Sequence, residues 1–121
     1  MSGVISFGES AEEVWLVAGW AYRRLLGDVL TASAQDEKVA YAVQQAVALQ
    51  GLDLPLIARE ERELSVKLYK AIRNVAIATV QDSAKEPLNW KQGLDAAGQA
   101  MYLGAVRELL AILGKAGEEF G

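Results

Sequence analysis

Apolar residues recur at helical spacing through most of the chain, between residues that start and stop helices. From about residue 56 to 81, apolar side chains repeat every three or four positions and charged side chains occupy the opposite side. This is the pattern of a helix with one buried face. Serine or asparagine precedes the other apolar stretches, as expected of N-terminal caps. The patterns predict four helices, at about 10–31, 35–50, 56–81 and 90–113.

The predicted helices are joined by short connections. Gly51 and Pro55 interrupt the chain after the second helix, and a polar segment follows the third at about 82–88. Short connections favour antiparallel neighbours, and 121 residues suit one domain. We expect residues 1–121 to form a single-domain, all-α, antiparallel (up-down-up-down) four-helix bundle with a short N-terminal extended lead.

The first predicted helix contains an unusual run, Val14 to Tyr22, with no charge and two of the three tryptophans, ending at Arg23. Nine residues are too few for a membrane span, which needs about 20. A helix that is apolar nearly all round is buried on several sides. The N-terminal lead, a second subunit or a partner could cover the surplus surface.

Small residues also repeat along the fourth predicted helix, at Gly93, Ala97, Ala100 and Gly104. Glycine costs a helix roughly 1 kcal/mol relative to alanine, so the repeat requires a packing reason. We expect this side of the helix to approach the tryptophans of the first helix closely.

The composition excludes much of enzyme chemistry. The chain has no cysteine and no histidine, and so lacks thiol nucleophiles, zinc-thiolate sites and the commonest general base. We therefore expect no catalytic residues, no metal site and no cofactor. The net charge of −4 argues against nucleic-acid or membrane partners. The first residues do not resemble a secretory signal, so a cytoplasmic location is expected.

The acidic residues are distributed unevenly in the predicted bundle. One end would collect nine acidic and three basic residues, a local charge of about −6. Helix capping explains part of this excess, and binding of a basic partner is the alternative. The candidate partner-binding residues are Glu12, Glu13, Asp53, Leu56, Glu60, Glu61, Glu63, Glu118, Glu119 and Phe120. Phe7, Leu56 and Phe120 are the candidate apolar anchors.

Two carboxylate pairs have the spacing i, i+3: Glu9 with Glu12, and Glu60 with Glu63. They resemble the paired E-x-x-E elements of all-helical nucleotide pyrophosphohydrolases, although the later E-x-x-D of that family is missing. The resemblance implies a carboxylate site for Mg²⁺ or Mn²⁺ and nucleotide hydrolysis.

These observations favour a non-catalytic binding protein. The leading hypothesis is a small acidic inhibitor of the immunity or antitoxin kind, which occludes a basic toxin or enzyme. One alternative is a homo-oligomeric structural or adaptor protein, which includes a homodimer. The other is the carboxylate-metal hydrolase.

Overall fold

The computed structural model describes residues 2–85 and 93–120, with side chains described only to 115 in the last helix. In chain order the elements are β1 (Ser2–Ser6), a 3-10 turn (Ala11–Glu13), β2 (Val14–Ala18), α1 (Gly19–Ala32), α2 (Glu37–Leu49), β3 (Gly51–Asp53), α3 (Leu54–Glu60), α4 (Arg62–Lys85) and α5 (Ala96–Phe120). The protein is mainly helical but contains a three-stranded sheet of order β2-β1-β3. The predicted all-α four-helix bundle is therefore wrong.

The largest error concerns the uncharged run. Ser10 caps a helix start as predicted, because its Oγ accepts a hydrogen bond from the Glu12 N–H at 3.2 Å. The helix lasts only one turn, and Val14 returns to extended backbone. Residues 14–18 then pair antiparallel with β1. The N-terminal segment is thus the central strand of a sheet rather than a lead, and the first long helix begins at Gly19.

A strand forms at 14–18 because the run contains β-branched and aromatic residues and because residues 2–6 pair with it. Short apolar runs are compatible with either a strand or a buried helix, and β-branched and aromatic residues favour strands. The sides of β2 also differ: Trp15 is fully buried, whereas Leu16 is 66% exposed. The fold itself therefore covers most of the apolar surface of this run.

The segment 51–55, predicted as a loop, contains the third strand. Gln50 ends α2 in the left-handed conformation (φ 58°) and donates its N–H to the carbonyls at the end of that helix. The next three residues pair in parallel with β1. Asp53 then caps α3 by accepting a hydrogen bond from the Leu56 N–H at 3.2 Å. Pro55 lies in the first turn of α3, where the proline's missing N–H would have no helical partner.

Of the other predicted helix boundaries, some agree with the structure and others do not. The predicted helix 35–50 corresponds to α2, within one or two residues at each end. The predicted helix 56–81 is divided at Glu61 (φ −150°, ψ 85°) into α3 and α4, and α4 continues to Lys85. The predicted start of the last helix at 90 lies outside the described residues, while α5 passes its predicted end at 113.

The core lies between the inner face of the sheet and the helices, and α4 packs against all four other helices. Buried polar groups tie the elements together, since each needs a hydrogen-bond partner when it leaves water. The Trp15 indole N–H donates to the Ala105 carbonyl of α5 at 3.0 Å. The Tyr69 hydroxyl of α4 donates to Leu113, also of α5, at 2.8 Å. These bonds fix α5 against both β2 and α4.

Tyr22 connects three elements of the fold. Its ring lies directly over Gly3 of β1, where no other residue would leave room for it. Its hydroxyl donates to the Ala46 carbonyl of α2 at 2.6 Å. Burial raises the pKa of Tyr22 to about 12. The side chain therefore sets the distance between the sheet, α1 and α2.

The small-residue repeat of the last helix does not pack as predicted. Ala97, Ala100 and Gly104 are exposed, and Gly104 has open space where a side chain would lie. The tryptophans do contact α5, but on its other side, where Trp20 packs near the Tyr102 ring with centroids 6.2 Å apart. The prediction of a close approach along the repeat is wrong.

Gly3 and Gly27 provide a matched test of this packing. In Gly3→Ala the new methyl group would collide with the buried Tyr22 ring, so we expect a loss of about 1–3 kcal/mol in unfolding free energy. Gly27 lies inside α1, and no described residue lies near its missing side chain, so Gly27→Ala should gain roughly 0.5–1 kcal/mol. Urea unfolding measures both changes, and equal midpoints for the two variants would contradict the contact.

Tyr22 also predicts alkaline instability. An exposed tyrosine loses its proton near pH 10, whereas Tyr22 in the folded chain keeps it to about pH 12. Between these values this side chain binds fewer protons in the unfolded chain than in the folded chain, so its contribution to stability should fall as pH rises, by at most about 1.4 kcal/mol per pH unit.

Removal of the Tyr22 hydroxyl tests this expectation. Tyr22→Phe should lose about 1 kcal/mol at neutral pH with its hydrogen bond, and its stability should then decline less steeply above pH 10. Urea unfolding at a series of pH values measures both effects. Tyr41→Phe, on an exposed side chain, is the control and should retain the wild-type slope.

Candidate functional site

The structure brings together two of the chain regions predicted to form an acidic end. Because β1 and β3 run parallel, with Ser6 opposite Asp53, both strands finish at the same end of the sheet. The loop after β1 then meets α3, where Arg59 binds Glu9 at 3.3 Å. The end of α5 also comes close, since Lys115 lies 3.7 Å from Glu12.

Several of these carboxylates are paired with cations of the chain itself. Besides Glu9 and Glu12, Glu61 binds Lys38 at 2.6 Å, and Glu63 lies 3.9 Å from Lys67. The hydrogen bond and the charge of Glu61 raise the pKa of Lys38. Exposed pairs of this kind add little stability, but they reduce the negative field that a partner would meet.

The remaining predicted residues have varied positions. Glu13 is half-buried and its carboxylate lies against Gly8. Phe7, a candidate anchor, is fully buried and packs edge-on against the Tyr69 ring, with centroids 6.4 Å apart. It therefore cannot contact a partner. The side chains of Glu118, Glu119 and Phe120 lie outside the described residues.

The two E-x-x-E pairs do not lie on helical faces. Glu9 precedes the 3-10 turn that contains Glu12, and the break at Glu61 separates Glu60 of α3 from Glu63 of α4. Within residues 2–85 and 93–115, no three acidic side chains come close enough together to hold a metal ion.

A groove of about 590 Å³ lies between α2, α3 and the outer face of the sheet. One wall is the side of α2 that carries Tyr41, Gln45 and Leu49, and the floor is formed by Val4 and β3. The opposite wall comes from α3 and the start of α4. The lining residues are Val4, Ser6, Tyr41, Ala42, Gln45, Ala46, Leu49, Gly51, Leu52, Asp53, Leu56, Ile57, Glu60, Glu61 and Leu64.

The groove concentrates exposed apolar surface. Of the six large hydrophobic side chains that the described part of the chain leaves exposed, three line it: Tyr41 at 64%, Leu49 at 75% and Leu56 at 54%. A fourth, Leu16, is the cross-strand partner of Val4 and extends the apolar face across the sheet. Exposed apolar patches of this kind mark interaction sites more often than chance.

The rim of the groove is acidic. Asp53, Glu60 and Glu61 line it, and no lysine or arginine among the described residues does. Lys38 reaches the rim only through its bond to Glu61. Beyond Leu56, the pair of Arg59 and Glu9 lines a neighbouring depression that shares Asp53 with the groove. The groove therefore combines an apolar interior with a net negative edge.

Four of the predicted partner-binding residues line this groove: Asp53, Leu56, Glu60 and Glu61. The α2 wall was missed. Its sequence signal was a second stripe, because Tyr41, Gln45 and Leu49 recur every four residues beside the buried stripe of Val39, Val43 and Ala46. A tyrosine and a leucine outside the core stripe of a short helix indicate an apolar face that needs another explanation.

Comparisons with protein-family models, with curated proteins and with solved structures find no match to this chain. None of these comparisons supports the predicted inhibitor of the immunity or antitoxin kind. The all-α bundle from which its acidic end was derived is wrong, since the fold contains a sheet, and four of the carboxylates pair with the chain's own cations.

In the described part of the chain, no helix combines the length and hydropathy that crossing a membrane requires.

Leu54 and Leu56 separate the structural role of α3 from its exposed surface. Leu54 is fully buried and Leu56 is 54% exposed. Leu54→Ala should cost about 2–5 kcal/mol of unfolding free energy, and Leu56→Ala less than about 0.5 kcal/mol. Chemical denaturation measures both. A loss at Leu56 as large as that at Leu54 would show that Leu56 serves the core rather than a surface.

Proposed function

We propose that this protein is a non-catalytic binding protein whose groove receives an apolar segment of a protein partner that also carries basic side chains. The observation that supports this most is the coincidence, in one groove, of exposed Tyr41, Leu49 and Leu56 with a rim of Asp53, Glu60 and Glu61. Apolar anchors supply affinity in protein interfaces, and complementary charge supplies rate and specificity.

The size and shape of the groove agree with this function. Its volume of about 590 Å³ accommodates a few large side chains of a peptide segment. The groove is formed by two helices and the outer face of the sheet. Buried contacts hold these elements in place, so little ordering is needed when a partner binds. A cytoplasmic location and the absence of catalysis stay predictions from the sequence.

A basic partner fits this surface better than a second copy of the chain. A symmetric dimer through the groove would bring the same patch of both copies together, including Asp53 and Glu60 of each. Like charges in one interface are unfavourable, and the chain carries a net charge of −4.

Selection from a phage-displayed library of random twelve-residue peptides tests the proposal. Peptides enriched on the wild-type protein should combine large apolar residues with lysine or arginine. They should lose about tenfold in affinity on Leu49→Gln, because each lost apolar contact is worth about 1–2 kcal/mol. Met101→Gln is the matched control: Met101 is 65% exposed on α5, away from the groove.

The charged rim is tested with the same peptides. Glu60→Gln should weaken binding at low salt, whereas Glu108→Gln, on the exposed side of α5, should not. The proposal would be overturned if neither Leu49→Gln nor Glu60→Gln changed the affinity of the selected peptides, or if the selection enriched no peptide. A dimer in sedimentation that Leu49→Gln dissociates would assign the groove to a second copy instead.

A further inference from the structure

We propose that the occupant of the groove binds as an extended strand that pairs with the outer edge of β3. This inference rests on the proposed function and specifies the backbone conformation of the partner segment. It starts from the position of β3 at the edge of the sheet, where one side pairs with β1, and from the three residues of β3, all of which line the groove. Among the described residues, no strand pairs with that outer side.

The direction of the backbone groups follows from the ladder. The Val4 N–H donates to the Gln50 carbonyl at 3.3 Å, immediately before β3. Along a strand, successive residues direct their N–H and C=O groups to opposite sides. Leu52 therefore faces β1, and Gly51 and Asp53 direct their backbone groups to the outer side of β3, away from β1. The carbonyl of Asp53 belongs to the first turn of α3, because Asp53 is the cap.

The outward groups are thus the N–H and C=O of Gly51 and the N–H of Asp53. Unpaired backbone groups at a sheet edge are a template for another strand. A strand is also suited to this groove because its side chains alternate between two sides. One set then lies on the same face of the sheet as Val4, which is the floor of the groove.

Gly51 supports a close approach by the partner backbone. A side chain at Gly3 or Gly8 would collide with the fold, but at Gly51 it would make only an ordinary contact, 3.6 Å from Val4 Cγ1. The fold itself therefore does not require glycine here. A side chain here would project from the face of the sheet beside Val4, so its absence leaves room on that face for an incoming strand.

Two synthetic peptides of identical composition test the conformation. Both contain leucine and lysine, in strict alternation in one and at helical spacing in the other. We expect the alternating peptide to bind the wild-type protein at least tenfold more tightly, by fluorescence anisotropy, and to lose that binding on Leu49→Gln but not on Met101→Gln. Bound peptide should also slow amide exchange at Gly51 and Asp53 more than at Leu52.

Backbone methylation of the alternating peptide tests the pairing itself. N-methyl groups on one alternate set of amides should abolish binding, and those on the other set should change it less than about threefold, because only one set faces β3. Equal effects of the two sets would overturn strand pairing.

The outcomes separate the two proposals. Tighter binding of the helical-spaced peptide, still lost on Leu49→Gln, would overturn strand pairing and leave the groove as a binding site. Both proposals would be overturned if the two peptides bound with affinities that Leu49→Gln left unchanged, or if neither peptide bound.

Discussion

The contact of Tyr22 with Gly3 and Ala46 is the constraint on which the described surface depends. The ring occupies the space above Gly3 of β1, and the hydroxyl holds the carbonyl of Ala46 in α2. Ala46 and Val4 both line the groove, so one buried side chain sets the spacing between its α2 wall and its sheet floor. A polar group in the core is stabilising only when it is paired, and here the pairing also fixes the geometry of an exposed site.

The sequence predicted helices well where one apolar stripe and a cap coincide. α2 begins after Asp36, whose Oδ1 accepts the Val39 N–H, and it lies within two residues of its predicted limits. The sheet could not be predicted in the same way. The strand 14–18 depends on pairing with residues 2–6, and β3 depends on residues 47 positions earlier in the chain. Propensity along the chain does not report such partners, and a short apolar run is compatible with both structures.

The candidate site was predicted only in part. Charge and capping patterns pointed to Asp53, Glu60 and Glu61, which do share one rim. Composition could not show that Lys38 would reach across from α2 to Glu61, nor that Phe7 would be buried against Tyr69. Tyr41 and Leu49, which lie beside the buried stripe of α2, were not predicted to form part of the site. The missing information was tertiary: which second face of a helix would meet the edge of a sheet.

The order of strands in the sheet has a consequence for how the chain reaches its native state. β1 and β2 are joined by residues 7–13, whereas β2, α1 and α2 separate β1 from β3 along the chain. Closing a longer loop costs more entropy. Pairing of β3 with β1 therefore has the larger entropic cost of the two pairings. The groove requires β1, β3, α2 and α3 to be in place together, so a chain in which β3 has not paired does not present it.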